Sequence, residues 1–202
     1  MNDFWMWSSY SLEKGYDFNG FLMEDQGRKF FVDPVKPAEQ VLQELPASGP
    51  YDAIYLTNKD HERFAFEIRR LIGTPVYIHY KDAEFLREKP DGTFKEGDKL
   101  KGGIEVIHLP DQKSPGECAF YMHDKGILIL GDALIGAPKG KLRMLPADKY
   151  KDPEKAKAGL QRLRSLTFDI LVLGDGEPIL TRPHDLLEHF FLENAFPHVS
   201  QK

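Results

Sequence analysis

The stretch YDAIYLTNKDHERF, residues 51–64, decides how the chain is read. YDAIYL is a short, mostly apolar run of the length of a buried strand. From His61 to Ile72 the apolar residues Phe64, Ile68, Leu71 and Ile72 recur at helical spacing, with Gly73 as a stop. The polar turn between them sets Asp60 and His61 side by side where a strand gives way to a helix, the place where ligands gather in layered α/β folds.

The same arrangement recurs along the chain. LTNKDH, HLPDQKSPGE, LILGDAL and LVLGDGEP each put Asp, His or Lys just past an apolar strand. Taken singly, Asp60 reads as a helix cap, and Asp132 and Asp175 read as turn residues beside glycine. Their joint occurrence is what points to a site. Around them, FNGFLMED and KFFVDP read as paired strands about the turn QG, followed by a short helix from Pro37 to Leu45. PVYIHY, GIEVIHL, ECAFYMH, GILILGD and FDILVLGD read as strands, and DAEFLREK as a short helix. Asp152 and Pro153 supply a cap and a first-turn proline for a helix to about Leu166, with Leu160 and Leu163 facing inward. Pro183 opens a last helix with the stripe Leu186, Leu187, Phe190 and Phe191. Hairpin-paired strands followed by strand–helix alternation predict two sheets face to face with helices outside. No linker or low-complexity tract divides residues 1–202, so one domain is expected.

Composition narrows the partners. A net charge of −5 disfavours nucleic acid and anionic membrane surfaces, which leaves a small-molecule substrate or a protein. The chain has no run long enough to span a bilayer, its start lacks a signal-peptide pattern, and its single cysteine, Cys118, suits a reducing cytoplasm. Cys118, flanked by apolar residues, reads as core rather than nucleophile. His79 and His108 lie in or at the end of strands and read as packing or hydrogen-bonding residues; His184 and His189 belong to the surface of the last helix. Trp5 and Trp7 alternate along the first strand, toward either the core or an oligomer contact.

The order of FNGFLMEDQGRKFFVDP, YLTNKDH, PVYIHYKDAEFL, the segment from Gly97 to Gly136 and FDILVLGDGEPI resembles the metallo-β-lactamase superfamily, specifically its glyoxalase-II-like metallohydrolases. The resemblance implies a four-layer αββα sandwich with a metal site at one edge between the sheets. The six positions of the family motif HxHxDH read Leu56, Thr57, Asn58, Lys59, Asp60 and His61. The family histidine before the S/T-P-G turn is Lys113 here, or Gln112 if the loop is anchored on Pro110 instead. Asp132 matches the bridging aspartate, and Asp175 replaces the last histidine.

By that correspondence the first metal loses all three of its histidines, while Asp60, His61, Asp132 and Asp175 remain for the second. One imidazole and three carboxylates favour Fe(II), Mn(II) or Mg(II) at least as much as Zn(II). Three carboxylates converging without a cation repel one another and raise their own pKa values, so a metal, Lys113 or both should balance them. Two functions follow. One is an atypical, slow metal-dependent hydrolase of an activated ester or thioester, with Asp60 and Lys113 as catalytic groups, Asn58 and Gln112 lining the cleft, and a loop bearing Lys139, Lys141 and Arg143 that suits an anionic substrate. The other is a metal-free binding or scaffolding module.

Overall fold

The computed structural model describes residues 3–193. β1 (Phe4–Ser11), β2 (Tyr16–Asp25) and β3 (Arg28–Val32) form an antiparallel meander. After α1 (Glu39–Glu44), β4 (Tyr51–Leu56) joins β3 in parallel. α2 (Ala65–Ile72) crosses over to β5 (Val76–His79), and β6 (Gly92–Phe94) closes a six-stranded sheet in the order β1-β2-β3-β4-β5-β6. β7 (Lys99–Leu100), β8 (Ile104–His108), β9 (Cys118–Met122) and β10 (Ile127–Leu130) are mutually antiparallel. α3 (Pro153–Leu160) then leads to β11 (Ile170–Leu173), which lies parallel to β10 and completes the order β11-β10-β9-β8-β7, before α4 (Pro183–Glu193).

Strand alternation builds the layers. Along β4, Ala53 and Tyr55 face the second sheet and pack with Phe21, Phe30, Phe120 and Ile129, whereas Ile54 and Leu56 face outward into a cluster with Phe66 and Ile68 of α2. On the far side, Leu128, Leu130 and Leu171 pack with Leu160 and Leu163 and with Leu187, Phe190 and Phe191 of α4. The result is an αββα sandwich, as expected. Among the described residues no helix is long and apolar enough to cross a membrane.

Several boundaries differ from the sequence reading. The helix after β4 starts at Ala65 rather than His61: Asn58 caps a single 3-10 turn over Lys59–His61, and Arg63 then takes a left-handed backbone, φ 30°, that no continuous helix can contain. Leu71 is 45% exposed, because the true helix presents Ala65, Phe66 and Ile68 to the sheet. The short strands β6 and β7 carry too few residues to show a period. DAEFLREK holds only one 3-10 turn, Ala83–Phe85, and the helix after Asp152 tightens to 3-10 geometry from Gln161 to Ser165. Trp7 donates its indole N–H to the Val35 carbonyl and meets Phe31 edge-on, so it belongs to the core; Trp5 is 43% exposed.

Candidate metal centre at the strand ends

The carboxyl ends of β3, β4, β5, β10 and β11 converge at one edge of the sandwich, and each delivers a polar side chain there. Asp33, just past β3, is fully buried. It accepts hydrogen bonds from the Thr57 backbone N–H (2.8 Å) and the Thr57 hydroxyl (2.6 Å), and its Oδ2 lies 2.8 Å from His61 Nδ1. That contact turns the other ring nitrogen, Nε2, toward Asp132 Oδ1 at 3.1 Å and Asp175 Oδ1 at 3.9 Å. Each of His61, Asp132 and Asp175 offers one ligand atom, all within 4.8 Å of one another.

This donor set fits a divalent metal. Atoms bound about 2.0–2.2 Å from one ion lie up to about 4.4 Å apart, so small side-chain rotations close the set. An imidazole whose other nitrogen is fixed by a buried carboxylate is the usual support of a metal-ligating histidine.

Three cations already balance the carboxylates. Lys113 Nζ lies 3.0 Å from Asp60 Oδ2 and 3.2 Å from Asp132 Oδ2. Burial opposes its charge, but Asp132 and Asp60 outweigh that and raise its pKa. Arg63 Nη2 lies 2.5 Å from Asp175 Oδ1 and 2.9 Å from His61 Nε2. Burial and the Arg63 guanidinium push the His61 pKa down, yet Asp33 and Asp132 carry it up to about 10. As imidazolium, Nε2 donates to Asp132 and presents a proton to Arg63, so the Arg63 contact suits only the Nδ1–H tautomer. Burial also opposes the Asp132 charge, but His61 and Lys113 hold its pKa well below the usual carboxylate range; burial raises that of Asp175.

Asp60 stands apart from the converging donors. The 3-10 turn points its carboxylate outward to Lys59 Nζ (3.1 Å) and Lys113, at the rim of the cleft. Asn58, fully buried, accepts the Asp60 N–H and donates to Glu117 Oε1 at 3.2 Å. Glu117 also accepts the Asp132 N–H (3.0 Å), and its Oε2 has no partner. Burial first, and then the Asp132 charge, push its pKa far up, which favours its neutral form. Beside it, a Cβ on Gly131 would come within 2.3 Å of Thr57 Oγ1 and 2.4 Å of Asn58 Nδ2, so only glycine fits. Asp82, past β5, ties both loops: it accepts from the N–H groups of Lys59 and Gly116 and from the Ser114 hydroxyl.

Lys113, not Gln112, is the residue that reaches the cleft. The Gln112 amide donates to the Ala156 carbonyl of α3 at 2.7 Å, which holds it against that helix. The cleft above the donors is a cavity of about 200 Å³ with Tyr16 and Phe18 on one wall and Lys14, Leu145 and Lys149 on its rim. Of the loop residues expected there, Arg143 lies behind Tyr16 with its guanidinium 5.6 Å from the ring, Lys141 is exposed, and Lys139 lines a separate groove of about 590 Å³ beside α4. That larger groove holds none of the converging carboxylates. His79 and His108 stack at 4.7 Å, and the Cys118 thiol, buried, donates to the Gly116 carbonyl. His184 accepts the Phe168 N–H, and His189 pairs with Glu193.

Sequence reasoning passed over Asp33, Arg63, Asp82 and Glu117. Asp33 at the end of FFVDP and Asp82 after PVYIHY sit in the same strand-end pattern as the residues it selected. Glu117 directly before the apolar run CAFYM is a charge where a buried strand begins. Arg63 has no local signal beyond its place two residues after His61.

A family model described as the metallo-beta-lactamase superfamily matches residues 1–192. The linear primary-alkylsulfatase of a Pseudomonas species is 29% identical over 96 residues, covering 46% of this chain and 18% of that protein's length. A solved protein in a di-iron-bound form, TTHA1623, superimposes with TM-score 0.69 at 25% identity, over 90% of this chain and 96% of that one. A metallo-beta-lactamase from Pontibacter korlensis superimposes with TM-score 0.76 at 17% identity, over 94% and 93% of the two chains.

Proposed function

We propose that this chain, which belongs to the metallo-β-lactamase superfamily, is a metal-dependent hydrolase that works with a single divalent metal. The observation that carries the reading is the convergence of His61, Asp132 and Asp175, with Asp33 behind His61. The positions that a first metal would need hold Leu56, packed under α2, together with Asn58 and Lys113, both already committed to carboxyl groups.

When bound, the metal supplies Lewis acidity toward water and toward a substrate oxygen, and the oxygen-rich donor set suits iron, manganese or zinc. The chain's own groups do the rest. Lys113 stays charged and turns its ammonium to the cleft, where it can hydrogen-bond the substrate oxygen on which charge develops. Asp60, at the rim with a partly exposed carboxylate, can accept the proton of the attacking water. Tyr16, Phe18 and Leu145 give the cleft an apolar lining for the rest of a substrate. Lys14 and Lys149 at its rim favour a small anionic substrate, an ester or thioester with a negative head group. The name of the Pseudomonas relative, an alkylsulfatase, adds sulfate monoesters to the class to be tried.

The test is metal content by elemental analysis, followed by turnover of ester, thioester and sulfate-ester panels with Mn(II), Fe(II) or Zn(II). One metal per chain with metal-dependent turnover lost in His61→Ala is the expected result; two metals at near-full occupancy would overturn the single-metal reading. The second reading, a metal-free binding module, is favoured by the balance that Arg63 and Lys113 give Asp175 and Asp132. It predicts no metal uptake and no turnover.

A further inference from the structure

Arg63 is held in place by more than a surface ion pair needs. Its Nη1 donates to two backbone carbonyls, Asn19 at 3.0 Å and Gly174 at 3.2 Å, and its guanidinium lies 4.8 Å from the centre of the Phe18 ring. Its side chain is only 12% exposed. The backbone takes φ 30° at this residue, a conformation that is strained for a non-glycine residue and persists only where the surroundings impose it. All of this delivers one nitrogen, Nη2, to His61 Nε2 and Asp175 Oδ1, two of the three atoms that would ligate the metal.

Two cations cannot occupy the one space in front of these atoms. A metal drawing on His61 Nε2 and Asp175 Oδ1 would stand within van der Waals contact of Nη2 and repel its charge. We propose that Arg63 is a tethered cation that competes with the metal for His61 and Asp175, so that loading requires its displacement from the cleft floor. The inference rests on the single-metal reading for the metal itself; the role of Arg63 as the charge that closes the metal-free site stands on its contacts alone. The chain would then persist folded without metal and fill only where metal is plentiful, with Arg63 setting the threshold. Arg63 acts here as a positioning residue, through the ligands rather than on substrate.

The experiment uses the metal-free chain, Arg63→Gln and Arg63→Lys, titrated calorimetrically with Mn(II) and Zn(II), with melting temperatures recorded with and without metal. Arg63→Gln should bind at least tenfold more tightly than the parent chain, melt several degrees lower without metal, and match the parent with metal bound. Arg63→Lys, which keeps the charge but loses the fork, should fall between and serves if the glutamine variant does not fold. A merely structural arginine would lower both melting temperatures and leave affinity unchanged; equal or weaker binding in Arg63→Gln overturns the proposal. If neither chain binds metal, the single-metal reading fails, and Asp175→Asn with the double variant decides the rest. Two single losses in melting temperature that do not add in the double variant support the tether, and additive losses overturn it.

Discussion

The two halves of the cleft floor are built from similar residues and end in different states. On one side, Asn58, Glu117 and Gly131 fill the space with hydrogen bonds and close packing, and burial pushes the one acid there toward its neutral form. On the other, His61, Asp132 and Asp175 converge and are met by Arg63 and Lys113. The difference lies one layer back. Asp33 stands behind His61 and keeps its ring oriented, whereas Leu56, facing α2 from within its own cluster, offers the other side no such support. A buried carboxylate that fixes an imidazole's orientation leaves its other nitrogen able to serve as a ligand.

The largest effect should come from removing that buried partner. Asp33→Ala strands the Thr57 N–H and leaves the Thr57 hydroxyl and His61 Nδ1 only each other, at 3.2 Å, and should cost about 3–5 kcal/mol in denaturant unfolding while abolishing metal uptake. A loss under 1 kcal/mol would erase the distinction between the halves. Glu117 sharpens the comparison from the filled side. Glu117→Ala leaves the Asp132 N–H and the Asn58 amide unpaired and should cost about 1–3 kcal/mol, whereas Glu117→Gln keeps the acceptor and should stay within about 1 kcal/mol of the parent. A Gln variant as damaged as the Ala variant would mean that the acid is ionised and that this half is charged as well.

Lys113→Met tests the cation between the halves. With its side chain 31% exposed, the stability loss should be about 1 kcal/mol, set against a tenfold or greater fall in turnover of anionic substrates. Gln112→Ala, at the contact with Ala156, should leave turnover unchanged. The remaining effect concerns pH. Burial, and then the neighbouring His108, hold the His79 pKa down to about 4, against about 6.5 unfolded. Folding therefore favours neutral His79: its contribution is full above pH 6.5 and is lost as pH falls toward 4. Stability followed over that window should drop by on the order of 1–2 kcal/mol, and His79→Phe should flatten the curve.

The layers of this fold were legible because strand burial leaves unbroken apolar runs such as CAFYM and ILVL, and because glycine and proline mark their ends. The start of α2 was not, since Phe64 keeps the helical period while the backbone at Arg63 breaks it. For the site, Asp60, His61, Lys113, Asp132 and Asp175 could be found as strand-end polar residues, and all five line the cavity. Their roles could not be ranked that way. Whether Asp60 turns in with His61 or out toward Lys59 depends on one 3-10 turn, and Arg63 meets Asp175 across a separation of 112 residues that no local pattern encodes. Gln112 and Lys113 differ by one step along a loop whose course is set by α3, which lies beyond it in the chain.

Asp82 has a consequence for how the cleft opens. Its carboxylate belongs to the first sheet and bonds the Ser114 hydroxyl and the Gly116 amide in the loop of the second, as well as the Lys59 amide beside the His61 turn. The loop that carries Lys113 and the turn that carries His61 are thus riveted at one point, and neither can breathe alone. Amide protons of Lys59 and Gly116 should exchange with solvent at one common rate, that of the sheets parting, rather than at the faster rates of free loops.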